Sequence, residues 1–227
     1  SLFMAREAME YDVVIVGAGP AGLTTAIKLK QLDPNLNVCI LEKGAEVGAH
    51  ILSGNVFETK ALDELIPNWK NEGAPVKTKV SKEKFLFLGK NSSLSWPTWL
   101  LPSVQKNHKN YIISLANLCR WLAEQAEKLG VEIFPGFPAS EVLYNDDGSV
   151  KGVATLDMGL DKDGNKKDTY QEGMELHAKV TVFSEGCRGH LGKQLIKKFN
   201  LDEEKNPQQY GIGLKEIWEV SEEQHQK

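Results

Sequence analysis

The sequence predicts an α/β domain whose parallel sheet grows from a strand–helix–strand unit and carries a β-rich insertion. Three observations carry that expectation. First, two apolar runs, Tyr11–Val16 and Asn37–Leu41, are joined by a glycine-rich turn and a segment of helical periodicity. The whole unit takes about thirty residues, as a βαβ unit does. Second, a helical pattern from Leu115 to Leu129 leads into another apolar run, Val131–Phe134, which repeats the alternation. Third, the hydrophobic period falls to two between residues 140 and 183, around polar turns.

Each element has a local reason. Tyr11–Val16 reads as a strand buried on both faces. Ala21–Leu32 places Leu23, Ile27 and Leu29 at helical spacing, and Pro34 stops it. Glu58–Ile66 is a short helix ended by Pro67, and Asn71–Lys79 is a polar loop. Phe85–Leu88 and Leu94–Trp96 flank Gly89-Lys90-Asn91-Ser92, a hairpin signal. Leu115, Leu118, Cys119, Leu122, Ala126 and Leu129 share one helical face, with Gly130 placed to end it. Ser140–Tyr144 and Val150–Leu156 form a hairpin about Asp146-Asp147-Gly148. Asp161–Asp168 is a further polar turn, followed by separate strands Met174–Ala178 and Val180–Phe183, and by a helix Gly189–Phe199. No linker composition interrupts the chain, so residues 1–227 read as one α/β domain with no second one.

Composition narrows the function. A net charge of −4 over 227 residues offers no basic footprint for nucleic acid. Cys39, Cys119 and Cys187 are widely separated and have neither metal nor redox spacing. His50, His108, His177, His190 and His225 show no metal spacing either, so no metal site is expected. Asp161, Asp163, Asn165 and Glu172 match part of a calcium loop, but Lys166 stands where that loop needs glycine, so the segment reads as a solvated turn. Ser1–Glu10 has no apolar signal region, and Met4 reads as a native start. The charge-free run Val13–Ile27 is shorter than the ~20 residues of a spanning helix.

Gly17-Ala18-Gly19-Pro20-Ala21-Gly22 matches G-x-G-x-x-G between a strand and a helix, which identifies a Rossmann-like dinucleotide site. Gly17 permits the tight turn, Gly19 admits a pyrophosphate, and Gly22 lets helix and strand pack closely. Glu42 ends the second strand, twenty residues after Gly22, where an acid accepts hydrogen bonds from ribose hydroxyls. A second signal is Glu185-Gly186, between Val180–Phe183 and a helix. It resembles the second flavin-contacting motif of flavin hydroxylases and reductases, and it selects FAD over NAD. The cofactor-binding residues expected are Gly17, Gly19, Pro20, Ala21, Gly22, Glu42, Lys43, Ser53, Gly54, Glu185 and Gly186. His50 is a further candidate flavin neighbour. The fold expected is thus an FAD-binding domain of the flavin hydroxylase/reductase type.

Longer strings carry a more specific resemblance. Lys43-Gly44-Ala45-Glu46-Val47-Gly48-Ala49-His50-Ile51-Leu52-Ser53-Gly54-Asn55, Leu65-Ile66-Pro67-Asn68-Trp69-Lys70, Trp121-Leu122-Ala123-Glu124-Gln125-Ala126-Glu127, Gly173-Met174-Glu175-Leu176-His177-Ala178-Lys179 and Tyr210-Gly211-Ile212-Gly213-Leu214-Lys215-Glu216 are similar to the electron-transfer flavoprotein–ubiquinone oxidoreductase family. The resemblance runs from Tyr11 to about Trp218. It implies an FAD enzyme of the respiratory chain. Such an enzyme takes electrons from electron-transfer flavoprotein and passes them to ubiquinone, with an additional [4Fe–4S] cluster. It implies attachment to one face of the membrane without crossing it. That face is the cytoplasmic face of a bacterial inner membrane, or the matrix face of the mitochondrial inner membrane.

Two departures accompany it. Three scattered cysteines cannot supply four thiolate ligands, so the cluster is expected in a missing C-terminal part, and the chain reads as an N-terminal fragment. Ser114 stands where hydroxylases and reductases often carry an arginine. No catalytic acid or base is expected for pure electron transfer. The alternatives are a geranylgeranyl-reductase-like or hydroxylase-like flavoprotein using NAD(P)H, and a non-catalytic nucleotide-binding module.

The segment from about 85 to 102 concentrates Phe85, Phe87, Trp96, Trp99 and Leu100 with flanking lysines. Composition leaves two readings open: a surface patch that meets a bilayer, or side chains packed beneath the insertion. The resemblance implies membrane contact by those five residues.

Overall fold

A computed structural model of the chain describes residues 6–52, 54–187, 189–209, 211 and 218–225. The first unit is β1 (Ala8–Val16), α1 (Pro20–Leu32) and β2 (Val38–Glu42). An excursion follows: β3 (Asn55–Phe57), α2 (Lys60–Leu65), β4 (Thr78–Lys79), β5 (Phe85–Leu88), β6 (Ser93–Trp96) and β7 (Tyr111–Ile113). Then come α3 (Leu115–Lys128), β8 (Glu132–Pro135), β9 (Ala139–Tyr144) and β10 (Val150–Thr155). The chain continues through β11 (Met158–Leu160), β12 (Lys166–Gln171), β13 (Glu175–Phe183), α4 (His190–Phe199) and α5 (Glu222–His225).

The main sheet has the order β8-β2-β1-β13-β10-β9. β8, β2, β1 and β13 run parallel, and β10 and β9 join antiparallel at one edge. β1 is central, so alternate residues enter two cores. Val13 and Ile15 pack with Leu23 and Ile27 of α1 and Leu118 and Leu122 of α3. Val14 and Val16 pack with Leu41, Val153, Leu176 and, from α4, Leu191 and Leu195. This two-sided burial explains the unbroken apolar run.

Several expectations are corrected. The two runs expected at Met174–Ala178 and Val180–Phe183 fall in one strand, β13, which starts at Glu175. Lys179, the apparent break, points to solvent and donates to Asp12 Oδ1 at 2.8 Å, so the ladder continues past it. The hairpin β9–β10 joins the edge of the main sheet. Gly152 makes this possible: a Cβ there would lie 1.9 Å from the Leu176 carbonyl oxygen. The polar stretch Asn71–Lys79 ends in a strand, because Thr78 and Lys79 pair with Ile112 and Tyr111 of β7. The β3-β7-β4 sheet left no periodic signal, its strands being two or three residues long. The hairpin β5–β6 forms as expected, with Phe85 opposite Trp96 and Phe87 opposite Leu94. α3 is capped by Ser114 Oγ, which accepts from Asn117 N at 3.3 Å, and ends before Gly130 with its φ of +92°.

Candidate functional site

The carboxyl ends of β1, β2 and β13 lie side by side, and the order of connection reverses there. From β1 the chain steps to β2 on one side and returns later to β13 on the other. A crevice opens at such a switch point. Here it holds about 1330 Å³ and is lined by Gly17, Gly19, Pro20, Ala21, Glu42 and Lys43 on the β1–β2 side. Ser184, Glu185, Gly186 and His190 line it from the β13 side.

The three glycines have separate physical reasons. Gly17 has φ +106°, and a Cβ there would meet the Ser184 carbonyl oxygen at 2.5 Å. A Cβ on Gly22 would meet the Gly17 carbonyl oxygen at 2.1 Å and Ser184 Oγ at 2.7 Å. Both glycines therefore serve the seam between the β1 and β13 loops. Ser184 closes that seam: its N–H donates to Val16 O at 2.9 Å, and its hydroxyl lies 3.0 Å from the same oxygen. Gly19 differs, because a Cβ there meets nothing within 4 Å. It faces the crevice at the start of α1, where no side chain caps the helix. An open position at an uncapped helix N-terminus fits a pyrophosphate.

Glu42 shapes the turn from the other side. Its Oε2 accepts from Ala18 N at 3.0 Å, and its Oε1 accepts from Gly44 N at 2.9 Å. The carboxylate is thereby fixed at the end of β2, with lone pairs left for further donors such as ribose hydroxyls. The loop after β8 is fastened to the same place, since Gly136 N donates to Gly44 O at 2.6 Å and Phe137 N to Glu42 O at 3.1 Å. This brings Pro138, Ala139, Ser140 and Glu141 into the crevice wall. Ser184 and His190 flank the Glu185-Gly186 signal in sequence. Pro138, Ala139, Ser140 and Glu141 were missed by sequence reasoning, because they join the site through sheet order and carry no local motif.

Of the expected binding residues, Gly17, Gly19, Pro20, Ala21, Glu42, Lys43, Glu185 and Gly186 line the crevice, as does His50. Gly22 sits behind the turn. Gly54 is exposed, with φ +86°, and does not line the crevice; Ser53 lies outside the described residues. Glu185 has an additional duty. Its Oε2 accepts from Gly192 N at 2.8 Å and its Oε1 from Leu191 N at 3.4 Å, which supplies acceptors to the first turn of α4. Two of the three thiols are buried, and burial pushes Cys119 up to about 11.

The hairpin is a surface feature. Phe85, Phe87, Leu94 and Trp96 share one of its faces by strand register, and Phe87 packs edge-on to both Phe85 and Trp96 at 5.3 and 5.9 Å. Trp99 and Leu100, on a short 3-10 turn after it, are 74% and 50% exposed. Burial beneath the insertion is thus excluded for these side chains.

With this geometry in view, likeness to known proteins can be placed on it. A model of the Thi4 family matches residues 2–65, the segment holding β1, α1 and β2. A probable electron transfer flavoprotein-ubiquinone oxidoreductase of Acinetobacter baylyi is 57% identical over 226 residues, covering 97% of this chain and 40% of that protein. The mitochondrial electron transfer flavoprotein-ubiquinone oxidoreductase of Dictyostelium discoideum is 56% identical, over 98% of this chain and 37% of its own. The human mitochondrial protein of that name is 53% identical, over 96% of this chain and 36% of its own. The curated relatives are electron transfer flavoprotein-ubiquinone oxidoreductases. This chain spans about two fifths of the length of those oxidoreductases. Among solved structures, THI4 of Thermovibrio ammonificans superposes with TM-score 0.52 at 19% identity, over 84% of this chain and 63% of that one. A geranylgeranyl bacteriochlorophyll reductase-like protein of Thermoplasma acidophilum gives 0.53 at 19%, over 78% and 39%. At those identities the two structures establish the Rossmann-like flavoprotein fold and nothing finer.

Proposed function

We propose that this chain is the part of an electron-transfer flavoprotein–ubiquinone oxidoreductase that holds the adenosine and pyrophosphate of FAD. The observation that carries this reading is Gly19: an open position at the uncapped start of α1, facing a crevice of about 1330 Å³. The start of α1 holds the pyrophosphate, and Glu42 accepts from the ribose hydroxyls while keeping the Ala18 and Gly44 amides in place. An acid at that position also repels a 2′-phosphate. When bound, the flavin supplies the redox chemistry, with electrons arriving from electron-transfer flavoprotein and leaving toward ubiquinone. The residues described here bind and orient it, and none needs to act as an acid or base. The [4Fe–4S] cluster belongs, on this reading, to the remainder of the full-length protein.

The hairpin β5–β6 and the turn after it place the enzyme at a membrane surface. The contact residues are Phe85, Phe87, Trp96, Trp99 and Leu100, which are all exposed. No described helix is long and apolar enough to cross a bilayer. Attachment to one leaflet puts the site within reach of a lipid-soluble quinone. The setting proposed is the cytoplasmic face of a bacterial inner membrane, or the matrix face of the mitochondrial one.

The test is electron transfer by the full-length protein from reduced electron-transfer flavoprotein to a ubiquinone analogue. Turnover with NADPH but not with a quinone would replace this reading by the reductase or hydroxylase alternative. Replacing Trp96, Trp99 and Leu100 together by Ser should release the protein from liposomes with FAD still bound. Unchanged co-sedimentation of that variant would remove the membrane assignment.

A further inference from the structure

The surface around the hairpin is charged unlike the rest of the chain. Residues 77–110 hold seven lysines and a single acid, Glu83, a formal +6 within a chain of −4. The remaining residues therefore carry −10. Glu83 is half-buried, and its Oε2 accepts from Asn107 N at 3.0 Å, so it is engaged inside the segment. Of these lysines, Lys82, Lys84 and Lys90 are exposed. Lys82 and Lys84 precede β5, and Lys90 stands in the turn at the hairpin tip. Lys106 donates to the Trp99 carbonyl at 3.1 Å, which fixes an ammonium group beside an indole that is 74% exposed.

We propose that this surface selects anionic lipid: its basic rim binds negatively charged headgroups while the aromatic face of β5–β6 enters the acyl boundary. The inference rests on the membrane reading above and adds the class of lipid. Charge complementarity carries it. An overall acidic protein is repelled by an anionic leaflet unless a basic face is turned toward it. Here the basic residues sit with the exposed aromatics, so orientation and insertion are coupled. Lysine stems lie along apolar surface while their ammonium groups reach the headgroups. Attraction of this kind is worth roughly fivefold in partitioning per lysine near the surface, and salt screens it.

The experiment uses the FAD-loaded full-length protein and two vesicle preparations, pure phosphatidylcholine and phosphatidylcholine with phosphatidylglycerol. Binding should be stronger to the anionic vesicles and fall steeply with salt. The triple variant Lys82→Gln, Lys84→Gln, Lys90→Gln should lose on the order of 10²-fold on anionic vesicles, with binding to neutral vesicles and flavin content unchanged. Equal, salt-insensitive binding to both vesicles would overturn the lipid-class inference and leave membrane contact standing. No binding to either would overturn both. Concentration-dependent self-association abolished by Trp96→Ser, without lipid binding, would make this face an interface between copies instead and so refute the proposal.

Discussion

At the scale of single residues, three glycines of one motif answer to different neighbours. Gly17 is crowded by the Ser184 loop, and Gly22 by Ser184 and the Gly17 backbone, whereas Gly19 faces open space. Their substitutions should therefore separate folding from binding. Gly19→Val keeps an extended backbone position with φ −80°, and its Cβ meets no protein atom within 4 Å, so the apoprotein should melt normally yet retain no flavin. Gly22→Ala should lower stability by about 1–3 kcal/mol by overpacking, visible as a lower melting temperature even without flavin. Purifying both variants and reading flavin absorbance beside thermal unfolding checks the contrast. A flavin-replete Gly19→Val protein would show that the crevice is not a pyrophosphate site. Glu42→Ala should weaken FAD by about 1.5–3 kcal/mol, since it removes a charged acceptor and frees the Ala18 amide. Titration of the apoprotein with FAD gives that number.

At the scale of elements, side-chain carboxylates in the connecting turns hold backbone groups of neighbouring strands and helices. The first turn of α4 draws its acceptors from Glu185. Glu185→Ala should cost about 1 kcal/mol and speed amide exchange at Leu191 and Gly192. Lost flavin at unchanged stability would instead mean that the carboxylate works on the cofactor. The hairpin β11–β12 and the stretch after it are held by two carboxylates. Asp157 accepts from Gly173 N at 2.7 Å and Tyr170 Oη at 3.1 Å, and Asp161 accepts from Asp163 N and Asn165 N at 2.9 and 2.8 Å. Those backbone hydrogen bonds, first among the causes, hold both carboxyls below their ordinary range. A depressed value means that the stabilisation is complete above the unfolded-state value and is lost as pH falls through the folded-state one. Protection factors for amide exchange at Asn165 and Gly173 should therefore fall on acidification before those in β1 and β2 do. A uniform response across these strands would contradict this.

The whole molecule joins two surfaces of different character, a crevice at the sheet's carboxyl edge and a basic, aromatic hairpin. The curated relatives are more than twice as long as this chain, which covers 40% of one and 36% of another. On the proposed function, residues 1–227 alone should pass no electrons from electron-transfer flavoprotein to a ubiquinone analogue. Measurable turnover by this chain would place the quinone site within it and overturn that division of labour.

The sequence by itself determined the nucleotide unit. The apolar run, the glycine spacing and the acid ending the second strand are local, because one turn between one strand and one helix must satisfy all three. It also determined the hairpin from Phe85 to Trp96, where alternation and a polar turn are read over a dozen residues. The tertiary structure decided what depends on sheet order. Placing β13 beside β1 brings Ser184 against Gly17, and pairing β10 with β13 makes the β9–β10 hairpin the edge of the main sheet. Ser184 and Gly17 lie 167 residues apart, and no periodicity reports such a distance. Exposure of the aromatic hairpin was likewise left open by composition, since the same side chains fill a core or cover a surface equally well. Only the fold shows that no layer of the described residues packs over them.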